Sequence, residues 1–167
     1  FRSPSVLKPG ETGEITLLFD GHAAKKPGRY TDNITLNISK GGKKVKGKLQ
    51  VSANLVDDFS RLSATAKANA PQIQLSSTLI DFGVLSDKGK ASQKFKVTNN
   101  GKSPLVIHSI SCENELITIQ GGKKEIKPGA TCTFTVQLRP KEIKTKLEAL
   151  INIVCNDPNG PVRLIKI

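Results

Sequence analysis

Lys127-Pro128-Gly129-Ala130-Thr131-Cys132-Thr133-Phe134-Thr135-Val136-Gln137-Leu138 is the stretch that decides the fold. A Pro-Gly turn opens it, and Phe134, Val136 and Leu138 then alternate with polar residues. Alternation of this kind is the period of a half-buried β-strand. The same arrangement occurs 119 residues earlier, where Lys8-Pro9-Gly10 precedes Thr12, Ile15, Leu17 and Phe19. Each block is followed by a second alternating segment. Residues 30–38 carry Ile34, Leu36 and Ile38 on one face, and residues 147–155 carry Ile151, Ile153 and Cys155 in the same way. Residues 45–53 and 162–167 read as the closing strand of each copy. Turn, strand order and alternation repeat together, so the chain reads as two copies of one unit.

Reading the second copy back to its start adds further strands at residues 73–75, 79–85, 91–98, 104–111 and 116–120. Asn99-Asn100-Gly101-Lys102 supplies a turn between two of them. Seven or eight short strands at this spacing predict an all-β fold of tandem immunoglobulin-like β-sandwiches. Residues 72–167 form the complete module. Residues 1–58 hold only the C-terminal half of another, whose three strands cannot bury an apolar face alone. Strand exchange with another chain, or an N-terminal segment outside the printed sequence, is expected to complete it. Residues 59–71 read as a linker with a short helix, capped by Ser63 and ended by Pro71.

The composition agrees. Among 167 residues there is no Trp, no Met and a single Tyr, so the core must be built from Val, Ile, Leu and Phe. No apolar run is long enough to span a membrane. The chain opens on Phe1 rather than Met and is expected to be processed or truncated, so a missing leader says nothing about location. The net charge of +12 has two readings, a solubilising lysine coat or an anionic partner. Nucleic acid is the weaker version of the second, because stacking aromatics and a recognition helix are both lacking. The densest charge is Lys40, Lys43, Lys44, Lys46 and Lys48 around Gly41-Gly42, a hairpin tip and its adjoining edge.

Nothing in the sequence points to an enzyme, a cofactor or a metal. Nucleophile elbow, phosphate loop and dinucleotide fingerprint are absent, and Asp81-Phe82-Gly83 stands without any other kinase element. His22 and His108 have no second histidine at ligand spacing, and His108 reads as an ordinary strand residue. Asp157, before Pro158-Asn159, reads as a turn cap. Cys112, Cys132 and Cys155 show no metal spacing. In a sandwich the start of the strand holding Cys132 and the end of that holding Cys155 share a pole, which makes Cys132–Cys155 the one intrachain disulfide to consider. Buried reduced thiols are the alternative.

Several segments of the second copy carry a resemblance. They are Ile80-Asp81-Phe82-Gly83, Phe95-Lys96-Val97-Thr98-Asn99-Asn100-Gly101, Pro104-Leu105-Val106-Ile107, Ile126-Lys127-Pro128-Gly129 and Asn156-Asp157-Pro158-Asn159-Gly160-Pro161. The series resembles an uncharacterised bacterial domain-of-unknown-function family of the ASH/HYDIN-like immunoglobulin superfamily, whose modules occur in tandem in Gram-negative envelope proteins. Many members carry Cys-Gly-Cys where this chain has Ser111-Cys112-Glu113-Asn114, so a redox or metal role of that motif does not carry over. The resemblance implies a non-catalytic structural or protein-interaction module of the periplasm or outer envelope, with an unknown protein partner. The alternatives are a binding module for anionic glycan or another polyanion through the lysines, and a cytoplasmic ASH/HYDIN-like scaffold, which three unpaired cysteines would suit.

Overall fold

The structure is a computed structural model that describes residues 2–85, 91–140 and 146–167. Its strands are β1 (Gly28–Lys40), β2 (Lys43–Leu55), β3 (Ile73–Leu75), β4 (Ala91–Asn99), β5 (Leu105–Cys112), β6 (Ile117–Gly121), β7 (Glu125–Ile126), β8 (Thr131–Leu138), β9 (Leu150–Cys155) and β10 (Val162–Lys166). A short helix, α1 (Ala64–Ala68), lies between β2 and β3. The ladders are antiparallel and form a β1-β2 hairpin and two four-stranded sheets, ordered β10-β9-β5-β7 and β3-β4-β8-β6. The protein is therefore all-β.

The two larger sheets supply one core. Phe95, Val97, Phe134, Val136 and Leu138 come from one, and Leu105, Ile107, Ile151, Ile153 and Ile165 from the other; none is more than 5% exposed. Phe95 and Phe134 sit directly opposite each other in β4 and β8, and their rings stack with centroids 5.3 Å apart. Fully burying one such side chain stabilises by roughly 1.5–3 kcal/mol. The alternation read from the sequence is thus the alternation between core and solvent.

Two buried polar residues tie the ends of strands together. Asn99 is 0% exposed, and its side chain accepts from the Gln72 and Gly101 N–H groups and donates to the Ser103 and Ile126 carbonyls. Asp157, also fully buried, accepts from the Asn159 N–H in its own turn at 2.9 Å, as a turn cap should. It also accepts from the Ile73 N–H at 3.0 Å, fastening the first strand of the body to its last hairpin. Burial without partners is costly for such groups, and every polar atom of Asn99 is matched. Gly101 has no room for a side chain: an added Cβ would lie 2.3 Å from the Ala70 carbonyl oxygen.

The two Pro-Gly turns form alike. Gly10 and Gly129 take φ of 85° and 72°, and the Glu11 and Ala130 N–H groups each donate to the carbonyl three residues back at 3.0 Å. A positive φ at the third turn position is what glycine supplies. The strand expected after the first turn does not follow. Within residues 12–19 only Thr16 makes a bridge, to Arg2. Its counterpart β8 is held between β4 and β6, and residues 2–11 offer no such pair of neighbours. Residues 79–85 also fall short of a full strand. Leu79 bridges Lys166 in parallel, and the Asp81 side chain then accepts from the Gly83 N–H, turning the chain away. α1 forms as expected, with Ser63 Oγ accepting from the Ala66 N–H.

Candidate interaction surface

The β1-β2 hairpin departs furthest from a packed structure. Its Gly41-Gly42 turn has φ of 54° and 78°, the left-handed pair that a two-residue hairpin requires. Lys40 therefore pairs with Lys43, and each lower residue of β1 meets a fixed partner on β2. Directly paired residues share a face. One face is apolar, with rows Ile38–Val45, Leu36–Gly47 and Ile34–Leu49, followed by Asp32–Val51 and Tyr30–Ala53. The other is polar, with rows Ser39–Lys44, Asn37–Lys46, Thr35–Lys48 and Asn33–Gln50.

This register sorts the five candidate lysines. Lys44, Lys46 and Lys48 form a row on the polar face, whereas Lys40 and Lys43 belong to the apolar side at the tip. All five are exposed, but they do not converge on one point. The apolar face is open instead: Ile38, Val45 and Leu49 are 54%, 57% and 41% exposed. At its base Phe19 packs on Tyr30, with ring centroids 5.8 Å apart.

The base of the hairpin is docked on the outer side of β5 and β9 through polar contacts the sequence did not reveal. The Arg29 guanidinium rests on the Glu113 carboxylate and also donates to Asn54 Oδ1 at 3.1 Å and Ser52 Oγ at 2.6 Å. The Arg29 N–H donates to Ser109 Oγ at 3.1 Å. His108, expected to be an ordinary strand residue, sits at an irregularity in the β5–β9 register, and its Nε2 lies 2.7 Å from Asp57 Oδ2. Next to this junction an open groove of about 1460 Å³ runs over the sheet, lined by Arg29, Ser111, Asn152, Leu150 and Leu164 among others. Ser111 Oγ and Asn152 Oδ1, on directly paired residues of its floor, have no hydrogen-bond partner among the described residues.

The structure holds no bond between Cys132 and Cys155, the one intrachain pair that the sequence left to consider beside reduced thiols. All three cysteines are free. Cys132 lies in β8 and accepts from the Lys123 N–H at 2.9 Å, while Cys155 lies in β9 of the other sheet with its sulfur 3.9 Å from the Gly160 carbonyl. Two strands that share a pole still belong to different layers, and here each sulfur has its own neighbour. Burial pushes the Cys155 thiol up to about 11. Burial also raises Cys112. Among the described residues no group of three or more His, Cys, Asp or Glu is placed to hold a metal ion. Among the described residues no helix is long and apolar enough to cross a membrane.

Comparison with known proteins places the β3–β10 body. No curated protein matches the chain. A crystal structure of a protein of unknown function from Porphyromonas gingivalis W83 is 32% identical, with a TM-score of 0.70. The match covers 85% of this chain and 65% of that one, so this chain spans less than two thirds of its solved relative. Residues 73–166, β3 to the end of β10, match the family described as protein of unknown function DUF1573. The chain belongs to the DUF1573 family.

Proposed function

We propose that the chain is a non-enzymatic structural or protein-interaction part of a bacterial envelope protein, located in the periplasm or outer envelope. In this reading residues 72–167 are one immunoglobulin-like sandwich of the ASH/HYDIN type, residues 59–71 a linker, and residues 1–58 the closing half of a second sandwich. Two four-stranded sheets sharing one core support the sandwich, and a hairpin that repeats its last two strands supports the tandem arrangement. The observation that carries the interaction role is the open apolar face at Ile38, Val45 and Leu49, since a two-stranded ribbon does not keep such a face in water without use. Another protein surface covers it.

Fractionation of the source cells, probed with an antibody against residues 72–167, tests the location. Recovery with periplasmic and outer-envelope markers is the expected result. Recovery with cytosolic markers would replace this reading by the cytoplasmic scaffold, which the three free thiols would suit.

A second reading rests on the row of Lys44, Lys46 and Lys48 along one face of β2. Alternate strand residues lie roughly 6.6–6.8 Å apart, so the row can follow a line of charges on an anionic glycan or another polyanion. Retention on heparin should then fall steeply with salt and be lost in a Lys44→Ser, Lys46→Ser, Lys48→Ser variant. Unchanged retention in that variant removes this reading.

A further inference from the structure

We infer that the open edge of β1 and the apolar face of the hairpin are covered by a segment of the same polypeptide, N-terminal to these 167 residues, that supplies counterparts of β3 to β7. The inference rests on the tandem reading above and says what the hairpin docks against. Its basis is an agreement of backbone direction between the two copies. The two-residue turn makes Lys40 and Lys43 a hydrogen-bonded pair, so even-numbered residues of β1 bond to β2 and odd-numbered ones point N–H and C=O outward. Arg29 shows this, since its N–H leaves the ribbon to reach Ser109. At the 119-residue offset the odd residues Asn33, Thr35 and Asn37 fall on Asn152, Val154 and Asn156. These belong to the edge of β9 that faces β5, and the Asn156 N–H donates to the Val106 carbonyl at 3.2 Å. Leu36 falls on Cys155, whose N–H points the other way, to Pro161 on the approach to β10. The open edge of β1 is therefore the one its counterpart uses to hold β5.

The side chains agree as well. Ile34 and Leu36 fall on Ile153 and Cys155, both 0% exposed beneath the β3-β4-β8-β6 sheet. Residues 12–19 fall on β8, and they lack the two flanking strands that make β8 a strand. In the complete copy β3 to β7 all precede β8 and β9 in the chain, so the missing counterparts lie upstream in the same polypeptide. The segment's edge strand has apolar residues at alternate positions, as Leu105 and Ile107 are in β5, and runs antiparallel to β1.

Trypsin kinetics test this on two proteins, the 167-residue chain and the product of the complete reading frame. Cleavage after Lys44, Lys46 and Lys48 requires local opening of the hairpin. The expected result is cleavage at least ~100-fold slower in the longer product. Leu36→Asp in that product should restore rapid cleavage while the β3–β10 body stays folded by amide exchange. Equal rates in the two proteins, or a reading frame that adds no residues ahead of the hairpin, overturn the inference. So does a 167-residue chain that sediments as a dimer with its hairpin already protected, because the occupant is then a second copy. None of these failures touches the envelope location, which is measured separately by fractionation.

Discussion

Replacing Asn99 by Ala should cost the β3–β10 body a large part of its stability. The side chain is 0% exposed and makes hydrogen bonds of 3.3, 3.0, 2.8 and 2.9 Å to Gln72, Gly101, Ser103 and Ile126. Alanine strands two N–H donors and two carbonyls at once. The contacts to Gln72, Gly101 and Ser103 are only part-buried, so water can reach some of these groups, whereas the Ile126 contact is buried. With about two groups left unsatisfied at roughly 1–3 kcal/mol each, the loss is about 3–5 kcal/mol. A domain of this size holds about 5–15 kcal/mol in total. Urea unfolding followed by circular dichroism reads the change. With a slope of about 1.5 kcal/mol/M the midpoint falls by about 2–3 M. Asn100→Ala is the control, because that neighbour is exposed and its loss should cost about 0.5 kcal/mol or less. Asn99→Asp keeps both acceptor contacts but sets a buried carboxylate oxygen against the Ser103 and Ile126 carbonyls, so it should destabilise at least as much as Asn99→Ala. If Asn99→Ala unfolds at the same urea concentration as Asn100→Ala, the buried network does not hold the sheets together as argued.

Gly101→Ala should destabilise by several kcal/mol, because the new methyl would meet backbone at Ala70, Pro71 and Gln72 with nowhere to move; thermal melting checks it. Cys155 titrates near 11 in the folded protein against 9.0 unfolded, so the unfolded chain loses its proton first as pH rises. The contribution is complete below about pH 9 and is lost as pH climbs toward 11, and melting at pH 8 and 10.5 should show a larger loss in the native protein than in Cys155→Ala. Arg29→Ala should leave the melting of the body within about 1 kcal/mol, since Glu113 is well exposed, yet speed amide exchange at the base of β1. A body that unfolds earlier with β1 exchange unchanged would show that Arg29 serves the body and not the junction.

The parts of the fold that were legible are those with a local cause. Alternation at Phe134, Val136 and Leu138, the two Pro-Gly turns and the Ser63 cap each depend on a few neighbouring residues, and each formed. Residues 12–19 have the same alternation and still lack a ladder, because a strand also needs partners to bond with. The lysines were legible as a cluster but not as two sets. Which face each takes follows from pairing across the Gly41-Gly42 turn. Asp157 could be read as a turn cap, but its bond to the Ile73 N–H joins residues 84 apart, and nothing in the sequence signals that. The same is true of Arg29 and Glu113, whose contact exists only once the hairpin lies on β5 and β9. The irregularity beside His108 shifts the β5 register, so Ile110 and Cys112 face the core while Ser109 and Ser111 face out, an arrangement simple alternation from Leu105 would have reversed.

Residue-resolved amide exchange on the 167-residue chain tests most directly whether two sheets close over one core behind a hairpin that does not share it. The slowest exchange should fall on Phe95, Val97, Val136, Ile151 and Ile153, drawn from both sheets, with Thr35, Asn37 and Ser39 exchanging orders of magnitude faster. Protection confined to a single sheet, or equal protection along β1 and β9, would contradict the account.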